Sequence, residues 1–367
     1  MASIYKTIRS EDIASTRTVL HEAIPLTGTI VSGTYSDENI KNYAHGMFQS
    51  VYDYPYLSSS ANHIFDLTLG FSTGSASLSG STTSQQAKKG NIYNQMAQVL
   101  MGYDKNGKIQ RFDSDGDLFS TTTDKMDNCL FVNFSRLLVK DELQKGTFAL
   151  TLGVSASYDT PFAGNRITLK DNDAADDYRV NSPAGEYAVL YAENVAGIDG
   201  SPLFNQTGSK QIKAGLLFYQ AGVAVLTSSL FMATDSAASP GFLSASVGWE
   251  SDTLVVTSSF TGSSIEVNAN SLRRRIYNIA FNNSVELNST IYFCHLGANE
   301  FNYSANPTYV SGSKIVVKAQ STDEPVSYLT TVGLYSSDNQ LMATAKLSEP
   351  IKKTPSTSLT FRVRLDY

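Results

Sequence analysis

From residue 147 onward the apolar residues stop recurring every three to four positions and begin to alternate, which commits most of the chain to β-structure. Thr147 to Ser157 (TFALTLGVSAS) alternates apolar with small polar residues, as a half-buried strand does when successive side chains point to opposite faces. Arg166–Lys170, Glu186–Glu193, Gln211–Phe218 and Ala221–Thr227 read as further strands, the last two at hairpin spacing around Tyr219 and Gln220. After a Ser/Ala/Gly stretch the pattern predicts strands over Thr253–Ser259 and Ser264–Asn268. Asn270–Asn282 stays undecided between helix and strand, and Asn299–Pro307 reads as an irregular connection. The end of the chain carries four strand candidates, Ser313–Ala319, Ser327–Tyr335, Leu341–Leu347 and Thr357–Asp366, with turn signals at Ser336–Asn339 and Lys353–Ser356. In the last run Leu359, Phe361, Val363 and Leu365 share one face while Thr360, Arg362, Arg364 and Asp366 share the other, so this end of the chain is expected to be pinned in a sheet.

Before residue 147 the signals are mixed. Ile40, Tyr43, Ala44, Met47, Phe48 and Val51 follow helical spacing, so an amphipathic helix is predicted between Asp37 and Tyr52 with Ser36 as its N-cap. A second helix is predicted over Ser84–Met101, closed by Gly102, and a short third around Phe134–Leu143. The tract Ser72–Ser84 has almost nothing to bury and reads as an exposed, mobile loop. The expected class is therefore α+β and β-rich. A mixed helical N-terminal domain (1–146) would precede a β-rich middle domain (147–300) and a C-terminal antiparallel, β-sandwich-like module (301–367).

Composition narrows the function. Charged residues make up 17% of the 367, against the usual share of about 25%, while 41% are hydrophobic, which argues for a folded chain rather than a disordered one. The longest apolar run, Gly215–Leu226, is too short for a membrane helix, so no membrane span is expected. The N-terminus lacks an apolar signal region, which points to synthesis and assembly in a cytoplasm. A net charge of −6, with Arg273–Arg275 as the one basic run, argues against a nucleic-acid partner.

No catalytic, cofactor-binding or metal-binding residue is assigned. His21, His45, His63 and His295 are scattered singly. Asp113, Asp115 and Asp117 resemble the start of a calcium loop, but Gly116 comes too early and Asp124 stands where the closing Glu belongs. Asp171–Asp177 reads as a solvated loop. Gly153-Val-Ser155-Ala-Ser157 lacks the second glycine of a nucleophile elbow, and Gly102–Lys108 lacks the spacing and hydroxyl of a phosphate loop. Asn133, Asn288 and Asn302 begin chance sequons, and Cys129 and Cys294 read as buried free thiols.

Tyrosine is the positive signal. The chain has 20, with Tyr52, Tyr54 and Tyr56 close together, and tyrosine joins a rigid apolar body to a hydrogen-bonding tip. These three, with Tyr335 and Tyr367 near the end of the chain, are the candidate protein-interface residues. An aromatic minicore with one wet face and a sugar-stacking platform stay open as readings of the first three. The stretches Tyr328–Tyr335 (YLTTVGLY), Ala343–Ser348 (ATAKLS), Pro350–Lys353 (PIKK) and Phe361–Tyr367 (FRVRLDY) resemble the closing module of structural proteins from T4-like tailed bacteriophages. Phe134–Phe148 and Leu216–Leu226 are similar to phrases in the same virion proteins. The resemblance implies a non-enzymatic virion component of tail, baseplate or neck, with a baseplate wedge preferred. Its partners would be other tail, baseplate or neck proteins and copies of itself. The rival expectations are a receptor- or glycan-binding tail or collar protein and a tail-associated hydrolase.

Overall fold

A computed structural model of the chain describes residues 5–26, 37–75, 83–116, 125–134, 141–163, 166–193, 211–235, 239–243, 245–303, 310–312, 314–316, 318 and 320–367. The elements begin with β1 (Ile13–Leu26), β2 (Ile40–Asn42), β3 (Gln49–Tyr52), β4 (His63–Phe71) and helix α1 (Ser84–Leu100). Next come β5 (Asn128–Asn133), β6 (Glu142–Leu143), β7 (Ala149–Gly153), β8 (Arg166–Lys170), β9 (Arg179–Ser182) and β10 (Gly185–Glu193). They continue with β11 (Gln211–Phe218), β12 (Val223–Thr227), β13 (Thr234–Asp235) and β14 (Ser239–Pro240), then helices α2 (Val256–Gly262) and α3 (Ile265–Arg275). Last are β15 (Ile276–Leu296), β16 (Val310–Ser311), β17 (Lys314–Ile315), β18 (Ser327–Tyr335), β19 (Leu341–Lys353) and β20 (Leu359–Asp366). The chain is α+β and β-rich, as the alternation requires.

Two compact units form, His21–Val285 and a second built from Met1–Leu20 with Glu286–Tyr367. The boundary expected at 146/147 falls inside the first, because β12 pairs with β5 and so joins strands from both sides of it. The boundary at 300/301 falls inside the second, because β20 pairs with residues 289–296 of β15.

In the larger unit the strands run in the order β15-β7-β8-β10-β11-β12-β5-β4-β3-β2, with β6 on β15 and β9 on β10. Neighbours along this path pair antiparallel, and Tyr219 and Gln220 lie in the β11–β12 turn. The middle of the sheet is apolar on both faces: all of β12 is buried, as are Leu130 and Phe131 of β5 and Leu67, Leu69 and Phe71 of β4. Helix α1 covers β4. A Cβ on Gly70 would stand 2.7 Å from the Lys89 carbonyl oxygen and the Tyr93 nitrogen, so glycine lets helix and strand approach. Thr83 and Gln86 form a reciprocal cap that starts α1, and Gly102 at φ +79° ends it.

Two local predictions are reversed. The predicted helix over Asp37–Tyr52 is a short 3-10 turn followed by β2 and β3, with Ile40 opposite Val51 and Val51 opposite Phe65. Asn, Tyr, Val and Gly are weak helix formers, Gly46 sits at φ +60°, and pairing with β4 decides the outcome. Conversely, the strands predicted over Thr253–Ser259 and Ser264–Asn268 are α2 and α3. Ser264 caps α3, and Ile265, Asn268, Ala269 and Leu272 are buried at helical spacing. Asn270–Asn282 divides between the end of α3 and the start of β15.

Of the predicted helix at Phe134–Leu143, residues 135–140 lie outside the described residues, and Glu142–Leu143 is β6. Of the tract 72–84, residues 76–82 lie outside them too. Its start is anchored rather than exposed: Ser72 donates to Asp127, and Ser75 donates to Asn128 Oδ1 at 2.5 Å.

The smaller unit contains separate strand pairs, β15–β20, β18–β19 and the short β16–β17, where a sandwich-like module was expected, and β1 also pairs with β15. β20 pairs with the second half of β15, from Ser289 opposite Asp366 to Leu296 opposite Leu359. The pair β18–β19 bonds to no other strand among the described residues. Its turn uses Asn339 at φ +59°, a conformation asparagine tolerates, and its register slips where residues 347–350 of β19 face Thr330 alone. Among the described residues of this unit, Val363 is the single buried apolar side chain.

Candidate functional site

In the larger unit the structure brings Tyr52 and Tyr56 together, with ring centroids 6.4 Å apart, and sets Tyr52 5.3 Å from the His63 ring. The loop after β3 is fastened at its neck, where the Asp53 carboxylate accepts the Asn62 backbone N–H at 2.6 Å and its side-chain N–H at 2.8 Å. That loop presents Tyr54, Tyr56 and Leu57, the last 84% exposed. Beneath it His63 Nε2 stands 2.7 Å from Asp66 Oδ1, and the Ser50 hydroxyl donates to the same oxygen at 2.5 Å. Tyr43 joins through its hydroxyl, 3.2 Å from Ser50 Oγ, and stacks on His45.

The carboxylate here separates serine from histidine. A nucleophilic serine needs the imidazole on its own hydroxyl, so this arrangement holds rings in place and does not activate Ser50. Tyr43, His45, Ser50, His63 and Asp66 were missed as site residues. The helix predicted over residues 37–52 hid the hairpin that assembles them.

The other sequence clusters are structural. Asp113 is buried with Lys125 as its ion-pair partner, and desolvation followed by Asp115 raises its carboxyl above the ordinary range. Lys213 pairs with Asp115 at 3.3 Å, and Asp117, Thr122 and Asp124 lie outside the described residues. Asp171 departs from the expected solvated loop. It is buried and accepts from the backbone N–H of Gly146 and Phe148 and from the Tyr219 hydroxyl, while burial raises its pKa. The Arg273–Arg275 run is no basic patch: Arg275 is buried and donates to the carbonyls of Gly153, Ser155 and Gly248 at 2.9, 3.1 and 2.5 Å. Burial lowers its guanidinium to about 10. The serines of the supposed elbow thus supply backbone acceptors.

Lys89 of α1 is also buried, donating at 2.6 Å to the carbonyls of Phe260 and Ser263 at the end of α2, and desolvation lowers its amine to about 8. Cys129 is buried and its thiol is pushed up by burial. Cys294 is half-buried rather than buried, and burial raises its thiol as well.

The remaining two tyrosines belong to the smaller unit. Tyr335 is exposed, with the Tyr5 ring packed edge-on at 4.9 Å. Tyr367 is 73% exposed, yet its backbone exchanges hydrogen bonds of 2.9 and 3.0 Å with Asn288. A groove of about 770 Å³ runs beside Tyr335, walled by Thr331–Tyr335 of β18, by Tyr5–Ile8 and by Tyr292–Leu296 of β15. Phe301 and Phe361 extend its apolar lining, and Lys6 and Asp12 are the charged residues on it. Lys6 is tied to Glu300 at 2.5 Å.

Among the described residues no three His, Cys, Asp or Glu side chains group as metal ligands do, and no helix is long and apolar enough to cross a membrane. Comparison with known protein families, curated proteins and solved structures gives no match.

Proposed function

We propose that this chain is a non-enzymatic structural protein of a tailed-bacteriophage virion, a baseplate wedge or other tail component. It assembles in the host cytoplasm with neighbouring tail, baseplate or neck proteins and with copies of itself. The observation that supports this reading is how little apolar surface the smaller unit buries among its described residues. Its strands are in register, yet among its described residues Val363 alone is a buried apolar side chain, while Tyr328, Leu341 and Met342 are 56%, 53% and 71% exposed. At the turn end of the hairpin exposed Leu341 stands opposite exposed Tyr335, and apolar surface grouped in this way suits cover by a partner. The resemblance of the closing segments to virion proteins names the kind of partner. An electron-microscopy map of purified particles tests it: the chain is expected as repeated copies about the tail axis. Finding it as a free protein in the host lysate and absent from particles overturns the reading.

A receptor- or glycan-binding role in tail or collar is the second reading, and the braced loop carrying Tyr54 and Tyr56 favours it, since sugars stack on exposed rings. Glycan-array binding lost in a Tyr54→Ala/Tyr56→Ala variant would support it, and an array without signal removes it.

A further inference from the structure

The two edges of the β18–β19 hairpin differ in a way that assigns them different fates. An exposed strand edge offers unpaired N–H and C=O groups to any passing chain, and proteins blunt such edges with charges, proline and bulges. β19 carries all three: Lys346, Glu349 and Lys352 along its length, Pro350 within it, and the extra residues 347–350 that break its register. β18 (SYLTTVGLY) has no charged residue and no proline. Among the described residues its second edge bonds to nothing, and a two-stranded hairpin on its own is marginal in water.

The groove lies along that unprotected edge. Its lining takes Leu329 and the consecutive residues Thr331–Tyr335 from β18 and none from β19, so it follows the strand's side rather than crossing the hairpin's face. The opposite walls are consecutive backbone too, Tyr5–Ile8 and Tyr292–Leu296, with Phe293, Phe301 and Phe361 offering apolar contact. The walls of Tyr5–Ile8 and Tyr292–Leu296 stand across the space from β18, so an occupant paired with β18 has chain on its other side, in the place where the hairpin of a second copy would have to bring its own β19. Apart from Lys6, which is paired with Glu300, and Asp12, the described lining is without Lys, Arg, Asp or Glu side chains, and the stretch along β18 is uncharged throughout, which suits neutral, apolar side chains there.

We propose that β18 receives a single extended segment of a neighbouring polypeptide, uncharged where it lies on β18 and apolar at alternate positions, by β-strand addition along the groove. This rests on the virion reading, since it is the particle that supplies the neighbour.

Backbone amide hydrogen exchange of the full chain, free and in purified particles, tests it. Alternate amides within residues 328–335 are expected to exchange at least about tenfold more slowly in the particle. A chain present in the particle with unchanged exchange over 328–335 overturns this proposal and leaves the virion reading intact, whereas a chain absent from the particle removes both. Slowing of the same amides in the free chain as its concentration rises assigns the edge to a second copy and overturns the single-strand occupant. Val332→Lys, which places a charge on the groove, is expected to reduce incorporation at least about tenfold. Thr344→Lys on β19 is expected to leave it unchanged, and equal incorporation of the two variants also counts against the proposal.

Discussion

The larger unit and the smaller one use the same alternating sequence pattern to opposite ends. In His21–Val285 strands such as β4, β5, β11 and β12 bury nearly every apolar side chain, and α1 and α3 pack on the sheet. In the smaller unit Val332 and Leu334 of β18 and Leu359, Phe361 and Leu365 of β20 alternate just as regularly but remain half-exposed. Alternation specifies which side of a strand is apolar. It does not specify whether the same chain supplies the cover, and here one unit buries its apolar faces in its own interior while the other leaves them half-exposed among the described residues.

Truncating matched residues gives the largest test of that contrast. Phe131→Ala in β5 is expected to cost roughly 3–5 kcal/mol, read from the urea midpoint, whereas Leu334→Ala in β18 should cost less than about 1 kcal/mol in the free chain. Equal costs would mean the smaller unit has an interior after all. Next comes Arg275→Met, which strands the buried carbonyls of Gly153 and Gly248 and the part-buried one of Ser155. A loss of about 3 kcal/mol is expected, and a neutral result would show that the larger unit tolerates unpaired groups in its interior. Gly70→Ala should cost about 1–3 kcal/mol, because the added Cβ meets helix backbone rather than a movable side chain.

The smallest effect is a pH slope. Lys89 sits at about 8 in the folded chain against an ordinary 10.5, so between those values the unfolded chain binds more protons and stability should rise with pH. Below pH 8 this group adds no slope. Replacement by methionine should remove the rise, and an identical slope in the Lys89→Met variant would deny the amine any part in it.

Much of this architecture is legible in the sequence. Arg166–Lys170, Gln211–Phe218 and Ser327–Tyr335 form as strands with the expected bounds, and Ser84 to Leu100 is helical because a cap, a stripe and a closing glycine agree there. The errors fall where short patterns fit both periods. Ile40 and Val51 suit one helix face or two paired strands, and pairing with β4 chose the second. Ile265 and Val267 suited a strand over Ser264–Asn268, but the run continues to Arg275 as α3.

The candidate site was legible only in part. Tyrosine content pointed to Tyr52, Tyr54, Tyr56, Tyr335 and Tyr367 as protein-interface residues, and what the structure adds is that all but half-buried Tyr52 are exposed. Their surroundings depend on residues remote in sequence, as with Tyr5 on Tyr335 or Asp66 beneath Tyr52's neighbour His63, and no local pattern encodes such meetings.

The pairing of β20 with residues 289–296 also sets an order in time. Residues 359–366 leave the ribosome after the whole of His21–Val285 has emerged, and synthesis proceeds at about 5–20 residues per second. The larger unit therefore has several seconds to fold before the smaller can close. The groove beside Tyr335 is therefore completed late, since Phe361 of β20 forms part of its lining.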